Sequence, residues 1–165
     1  MVDRPGIRSA GLVQASALAA MLLAGCIDPP TAAVCTPGTF DTASVSGDTI
    51  TTSTGLRFID DSLGAGAALP WCATVAVLFK AYLLDGTPFD STDIDRPLRF
   101  APGLGDLIDG FEQGVIGMRR TGARRLIIPP ELGYGSEPVR DNAGTVIVPG
   151  NSTLVFDVEV LGIGQ

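Results

Sequence analysis

The residues of this chain that could do chemistry are aromatic and apolar rather than nucleophilic. The sequence contains no histidine and only three cysteines. It therefore offers neither a Ser-His-Asp nor a Cys-His set for nucleophilic catalysis, and it lacks the usual ligand set of a zinc site. We expect no metal and no cofactor, which leaves the aromatic blocks of the sequence as the candidates.

Four such blocks follow one another between residues 85 and 161. They are Asp85-Gly-Thr-Pro-Phe-Asp-Ser91, Leu107-Ile-Asp-Gly-Phe-Glu-Gln-Gly114, Ile127-Ile-Pro-Pro-Glu-Leu-Gly-Tyr-Gly135 and Thr153-Leu-Val-Phe-Asp-Val-Glu-Val-Leu161. The ordered set resembles the FKBP-type peptidyl-prolyl cis-trans isomerases, and the resemblance covers roughly Thr54 to Gly162. It implies an enzyme that accelerates rotation about X-Pro bonds in the folding or remodelling of proteins.

The implied reaction needs no nucleophile. Amide resonance sets a rotation barrier of about 18–20 kcal/mol. A dry apolar pocket favours the twisted amide over the planar, strongly dipolar ground state, while a few hydrogen bonds hold the flanking peptide.

The resemblance also implies a role for individual residues. Phe89 would form an aromatic wall beside a buried Asp90 carboxylate, whereas the Ile108 N–H and the Tyr134 hydroxyl would bond substrate carbonyls. The implied catalytic residues are Phe89, Asp90, Ile108, Phe111, Tyr134 and Phe156. The implied substrate-binding residues are Phe79, Leu98, Leu107, Ile147 and Val148, the last two forming a flap over the proline ring. Outside this ordered set, the same residues would indicate core packing, a turn at Asp90-Ser91 and a surface tyrosine.

The sequence departs from the family pattern at three aromatic positions. Phe79 stands where the family usually has a tyrosine that contacts the carboxylate, Phe111 stands where it commonly has a tryptophan, and Leu98 replaces an aromatic residue. These departures keep two alternatives open: a non-catalytic peptide- or protein-binding module on the same fold, and a structural lipoprotein with a vestigial pocket. The resemblance also implies macrolides of the tacrolimus and rapamycin type as inhibitors, and the three departures concern the affinity of the pocket for them.

The elements that must position these residues show two periodicities. Apolar residues alternate over 75–83 and again over 154–160, which predicts two strands that each bury one face. Leu107, Ile108, Phe111 and Val115 have helical spacing, and 125–128 predicts a short strand that ends at Pro129-Pro130. We therefore expect an α+β fold in which an antiparallel sheet of five to six strands wraps around one short α-helix, as the resemblance also implies.

The chain begins with a segment that is typical of a bacterial lipoprotein signal peptide, residues 1–25. Arg4 and Arg8 precede an apolar run over 10–24, and Leu23-Ala24-Gly25-Cys26 resembles a lipobox that would make Cys26 the lipidated residue. An ordinary secretory signal is the alternative. Residues 26–53, rich in Thr, Pro and Ser, predict a flexible tether, and 54–165 predict the isomerase domain. The expected location is the cell envelope, lipid-anchored and either periplasmic or associated with the outer membrane.

The two remaining cysteines, Cys35 and Cys72, allow one intramolecular disulfide, which an oxidising envelope compartment permits. Such a bridge would close a loop of roughly 36 residues and contribute about 3–4 kcal/mol. The alternative is two free thiols.

The charge of the chain restricts its partners. Eleven basic residues against 18 acidic ones give a net charge of −7, which argues against binding to nucleic acid because phosphate contacts need clustered Lys and Arg. The basic cluster at Arg119, Arg120, Arg124 and Arg125 predicts a solvated turn. We expect a monomer that binds proline-containing polypeptide segments and contacts the membrane through its lipid.

Overall fold

The computed structural model describes residues 34–37, 42–46 and 48–164. Over these residues the chain forms ten β-strands, one α-helix and a 3-10 helix at Pro130–Leu132. The strands are β1 (Thr42–Ser46), β2 (Thr49–Thr52), β3 (Arg57–Ser62), β4 (Val75–Leu83), β5 (Pro88–Ser91), β6 (Leu98–Phe100), β7 (Ala123–Ile128), β8 (Val139–Arg140), β9 (Val146–Val148) and β10 (Leu154–Ile163). The helix α1 spans Asp109–Val115.

Eight of these strands form one antiparallel sheet. Seven follow the order β1-β2-β3-β7-β10-β4-β5, and β6 pairs with β4. The remaining two, β8 and β9, pair only with each other among the described residues. The predicted α+β class, an antiparallel sheet with one short helix, is confirmed. The described strands outnumber the five to six that were predicted, because the additional strands are short and show no long alternation of apolar residues.

The long strands bury the face that the sequence predicts. Along β4 and β10, alternate apolar residues are buried while Lys80 and Glu159 between them are exposed. Helix α1 packs on β7 through two glycines. A Cβ atom on Gly110 would collide with Ile128, and one on Gly114 would lie 2.5 Å from Leu126 Cδ1. The missing side chains let the helix approach the sheet closely, which carries Phe111 into the core.

The segment predicted as a flexible tether, 26–53, is partly folded. Strands β1 and β2 extend the sheet beyond β3, Thr52 is buried, and the Thr36 N–H donates to the Gly103 carbonyl at 2.9 Å. The folded part of the chain therefore begins before residue 54, the predicted start of the isomerase domain. Main-chain pairing at the edge of a sheet does not require an apolar sequence, and threonine favours extended backbone. Because the segment has few large apolar residues, its composition does not predict these strands.

Cys35 and Cys72 form the expected disulfide, with their Cα atoms 5.7 Å apart. The bridge fastens the segment around Thr36 to the loop between β3 and β4. The Cys72 N–H donates to the Pro102 carbonyl at 2.9 Å, next to Gly103. A Cβ atom on Gly103, whose φ is +98°, would lie 2.7 Å from the Thr36 carbonyl oxygen and 2.9 Å from Cys35 Sγ. Glycine is required here both by the positive φ and by the close approach of the bridged segment.

The predicted signal peptide and Cys26 lie outside the described residues. Within residues 34–37, 42–46 and 48–164, no helix is both long and apolar enough to cross a membrane.

The predicted solvated turn is correct for Arg119 and Arg120, which are exposed, and wrong for Arg124. Arg124 points into the protein from β7 and is buried. Its neighbour Arg125 points to the outer face of the sheet, where it pairs with Asp157. Successive residues of a strand face opposite sides, so two adjacent arginines on β7 cannot share one environment.

Candidate active site

A cavity of about 340 Å³ opens beside the helix, and nine residues line it: Phe79, Asp90, Leu98, Asp106, Leu107, Ile108, Phe111, Tyr134 and Phe156. They come from strands β4, β5, β6 and β10, from α1 and the loop before it, and from the loop after the 3-10 helix. Its volume is within the range of small-ligand sites. Eight of the nine residues are among those that the sequence resemblance singled out.

The floor of this pocket consists of three phenylalanines that contact one another. The ring centroids of Phe111 and Phe156 are 5.2 Å apart, and those of Phe79 lie 5.6 Å from Phe111 and 5.7 Å from Phe156. Their tilted and edge-to-face contacts are the arrangements that aromatic pairs prefer. Because all three rings are buried, the floor is rigid and apolar.

Phe89 is not one of the lining residues. It is half-buried and packs edge-on against Phe156, with the ring centroids 5.9 Å apart and the planes at 90°. The expected aromatic wall is therefore a second layer, which supports Phe156 without lining the cavity.

The structure does not bring Ile147 and Val148 to the pocket as a flap. Val148 is 1% exposed and belongs to the core, whereas Ile147 is 37% exposed. They are consecutive residues of β9, and consecutive side chains of a strand face opposite sides. Their side chains therefore face opposite sides of β9, and neither is among the nine residues that line the cavity.

The loop before α1 presents Leu107 and Ile108 to the cavity. The buried carboxylate of Glu112 accepts hydrogen bonds from the Gly103 N–H at 2.8 Å and from the Leu107 N–H at 3.2 Å, which fixes both ends of the loop to the helix. Among the described residues, none accepts a hydrogen bond from the Ile108 N–H. This donor remains available at the pocket, and Glu112 is the anchor that the sequence resemblance missed.

We expect Glu112→Gln to lower the free energy of unfolding by about 1–3 kcal/mol, because a buried N–H then meets an amide NH₂ or loses its acceptor. Urea unfolding of the variant and of Glu137→Gln, an exposed carboxylate outside this loop, measures the difference. An equal loss in the two variants would contradict the anchoring role.

Tyr134 reaches the rim of the pocket from a loop held by backbone hydrogen bonds. The Gly135 N–H donates to the Pro130 carbonyl at 2.9 Å, and the Asn151 N–H donates to the Gly135 carbonyl at 2.7 Å. Gly135 has a φ of +66°, which favours glycine. The ring is 40% exposed, and no described residue accepts a hydrogen bond from its hydroxyl. Partial burial raises the pKa of Tyr134, and the negative charge of Asp90 makes a second, smaller contribution in the same direction.

Asp90 lines the pocket but is exposed, which corrects the expected buried carboxylate. It accepts a hydrogen bond from the Ser91 N–H at 2.8 Å. Because the carboxylate is exposed and has this donor, it does not require the tyrosine hydroxyl that the family usually provides at position 79. Asp106, also exposed, is the one lining residue that the sequence resemblance did not name. Its position directly before Leu107 is the only sequence signal that could have indicated it.

Comparison with known proteins gives a consistent result. The family model for FKBP-type peptidyl-prolyl cis-trans isomerase matches residues 72–161, more than half of the chain. The photosynthetic NDH subunit of lumenal location 4 from Arabidopsis thaliana is 40% identical over 116 residues, which are 66% of this chain and 54% of that protein. FK506-binding protein 2 of Dictyostelium discoideum is 49% identical over 87 residues, 52% of this chain and 61% of that protein.

Among solved structures, that of FkpA from Escherichia coli superposes with a TM-score of 0.61 and 37% identity, covering 73% of this chain and 53% of that chain. The chain thus spans little more than half the length of these relatives. The matched region contains the helix, the sheet strands β4 to β7, most of β10, and all nine residues that line the cavity. The chain belongs to the FKBP-type peptidyl-prolyl cis-trans isomerase family.

Proposed function

We propose that this protein catalyses cis-trans isomerisation of X-Pro bonds in polypeptides. The observation that carries the proposal is a pocket with an aromatic floor and two unengaged hydrogen-bond donors, the Tyr134 hydroxyl and the Ile108 N–H, at its edge. A proline ring on the floor would place its amide between the two donors.

The chemistry follows from the nature of the amide. The planar amide owes its rotation barrier of about 18–20 kcal/mol to resonance that also gives it a large dipole. In the twisted transition state this charge separation is lost. Moving the amide from water to the floor of Phe79, Phe111 and Phe156 therefore disfavours the planar ground state more than the twisted transition state, which lowers the barrier. Each factor of ten in rate requires about 1.4 kcal/mol of this preference.

The two donors would hold the peptide while the bond rotates. Hydrogen bonds from Tyr134 and Ile108 to flanking carbonyls fix the chain on both sides of the rotating bond. The raised pKa of Tyr134 keeps its hydroxyl protonated, and hence a donor, through neutral and mildly alkaline pH.

A non-catalytic binding module is the second candidate, and two observations favour it. One relative is named as a subunit of an assembly, the Arabidopsis NDH subunit. The floor also contains Phe79 and Phe111 where the family usually has tyrosine and tryptophan. Such a module would hold proline-containing segments in the same pocket without accelerating their rotation.

An isomerisation assay on a proline-containing tetrapeptide separates the two functions. We expect acceleration by the purified protein, and we expect Tyr134→Phe to lower kcat/KM by about tenfold, the effect of one lost hydrogen bond of about 1–1.5 kcal/mol. Tyr82→Phe is the matched control, because Tyr82 is the other tyrosine of the chain and does not line this cavity. Peptide binding without acceleration would instead support the binding module.

We further propose that the protein acts in the bacterial cell envelope, anchored by a lipid on Cys26. The basic start, the apolar run and the lipobox of residues 1–26 support this location. Cys35 lies nine positions after Cys26, a separation that reaches at most about 30 Å when the chain is extended. Since Cys35 is bonded to the folded unit, the pocket would act on envelope proteins close to the membrane surface.

A further inference from the structure

We infer that this pocket selects prolines preceded by lysine or arginine, and that Asp90 and Asp106 provide the selectivity. The inference rests on the proposed function, since it concerns the substrate of the same site. It goes beyond that function by naming the class of residue that precedes the proline.

The two carboxylates are free to act on a ligand. Both line the cavity and both are exposed. The ion pairs found among the described residues join Arg124 to Asp60 and Arg125 to Asp157, so neither lining carboxylate is neutralised by a described cation. The nine lining residues include no lysine and no arginine.

The apolar floor determines which part of the substrate meets these charges. The buried rings of Phe79, Phe111 and Phe156 offer the proline ring an aromatic contact surface in the cavity. With the ring on that floor, the side chain of the preceding residue extends toward the exposed rim, where Asp90 and Asp106 lie. A lysine or arginine there packs its alkyl stem on the apolar wall, which includes Leu98 and Leu107, and leaves its charge in water beside the carboxylates.

The expected size of the preference is modest, because the carboxylates are exposed and water screens them. An exposed charge pair changes an equilibrium by a factor of about 2–5. Replacing lysine by glutamate reverses the sign of both interactions, so we expect a ratio of about tenfold between the two. The chain's net charge of −7 also attracts any cationic peptide. The test must therefore separate the effect of this overall charge from the effect of Asp90 and Asp106.

The test compares three peptides that differ only in the residue before proline: lysine, norleucine and glutamate. Norleucine has the lysine alkyl chain without the charge. We expect kcat/KM to be highest for lysine and lowest for glutamate, and the lysine-to-glutamate ratio to decrease at 0.5 M salt, where the screening length is only about 4 Å. Asp90→Asn and Asp106→Asn should each lower that ratio about threefold, and the double variant should bring it close to one.

Asp48→Asn is the matched control. It removes the same unit of charge from an exposed carboxylate in the turn between β1 and β2. In the strand order of the sheet, β1 and β5, the strand that contains Asp90, are at opposite ends. A lysine-to-glutamate ratio near one in the wild type would overturn the inference, as would an equal decrease in Asp48→Asn and the pocket variants. If no peptide is accelerated, the proposed catalysis fails, and the ratio of the Kd values of the same three peptides then decides the selectivity.

Discussion

Arg124→Met is expected to lower the free energy of unfolding by about 3–5 kcal/mol, the usual cost of removing one partner of a buried ion pair. The Arg124 guanidinium donates from Nε to Asp60 Oδ1 at 2.6 Å and from Nη2 to Asp60 Oδ2 at 3.1 Å. Its Nη1 donates to the carbonyls of Gly114 and Ile116, at 2.8 and 3.1 Å.

These contacts connect three parts of the fold. Asp60 belongs to β3, Arg124 to β7, and the two carbonyls lie at the C-terminal end of α1, where helical carbonyls have no partner within the helix. The guanidinium also stacks 4.1 Å above the Phe58 ring. Methionine fills part of the volume but leaves Asp60 and both carbonyls without their donor. Their lost hydrogen bonds account for the expected destabilisation.

Arg125→Met provides the matched control for this prediction. Arg125 is the next residue on the same strand, and its Nε lies at the same 2.6 Å from a carboxylate oxygen, that of Asp157. The side chains of that pair are 49% and 35% exposed, against 7% and 22% for Arg124 and Asp60. An exposed pair contributes about 1 kcal/mol or less. Urea unfolding of the two variants compares the buried pair and its additional contacts with the exposed pair, and equal losses would contradict the structural role of Arg124.

The sequence allowed prediction of those parts of the fold in which one periodic pattern extends over many residues. Strands β4 and β10 alternate over nine and ten residues, so their buried faces were predictable. Strands β1 and β2 were not, because main-chain hydrogen bonds hold them at the edge of the sheet and their sequences show no long alternation of apolar residues. Arg124 could not be assigned either, since its burial depends on Asp60, 64 residues away.

The same distinction applies to the pocket. The aromatic floor was predictable because the resemblance gives positions for Phe111 and Phe156, and because the helical spacing turns Phe111 inward while the strand alternation turns Phe156 inward. The exposure of Asp90, by contrast, depends on how the edge strand β5 ends, which no local pattern determines. The position of Ile147 outside the pocket depends on the pairing of β8 with β9. Family position therefore predicted the buried part of the site better than its rim.

The second large effect is expected from the disulfide. Replacing Cys35 and Cys72 together by serine should lower the free energy of unfolding by about 3–4 kcal/mol, because the bridge shortens the unfolded chain across a sequence separation of 37 residues. The double variant avoids a free thiol at either position. Denaturant unfolding measures the loss, and the midpoint should shift while the dependence on denaturant becomes slightly steeper, since the unfolded state expands.

Reduction of the wild-type protein tests the same prediction without any substitution. Dithiothreitol should reproduce the loss measured for the double variant, and it should leave the double variant itself unchanged, because no other disulfide joins the residues that the structure describes. The native hydrogen bond from the Thr36 N–H to the Gly103 carbonyl does not by itself replace the covalent closure of the loop. Unaltered stability on reduction would mean that the unfolded chain is already compact over this loop, and the entropic account of the bridge would then be wrong.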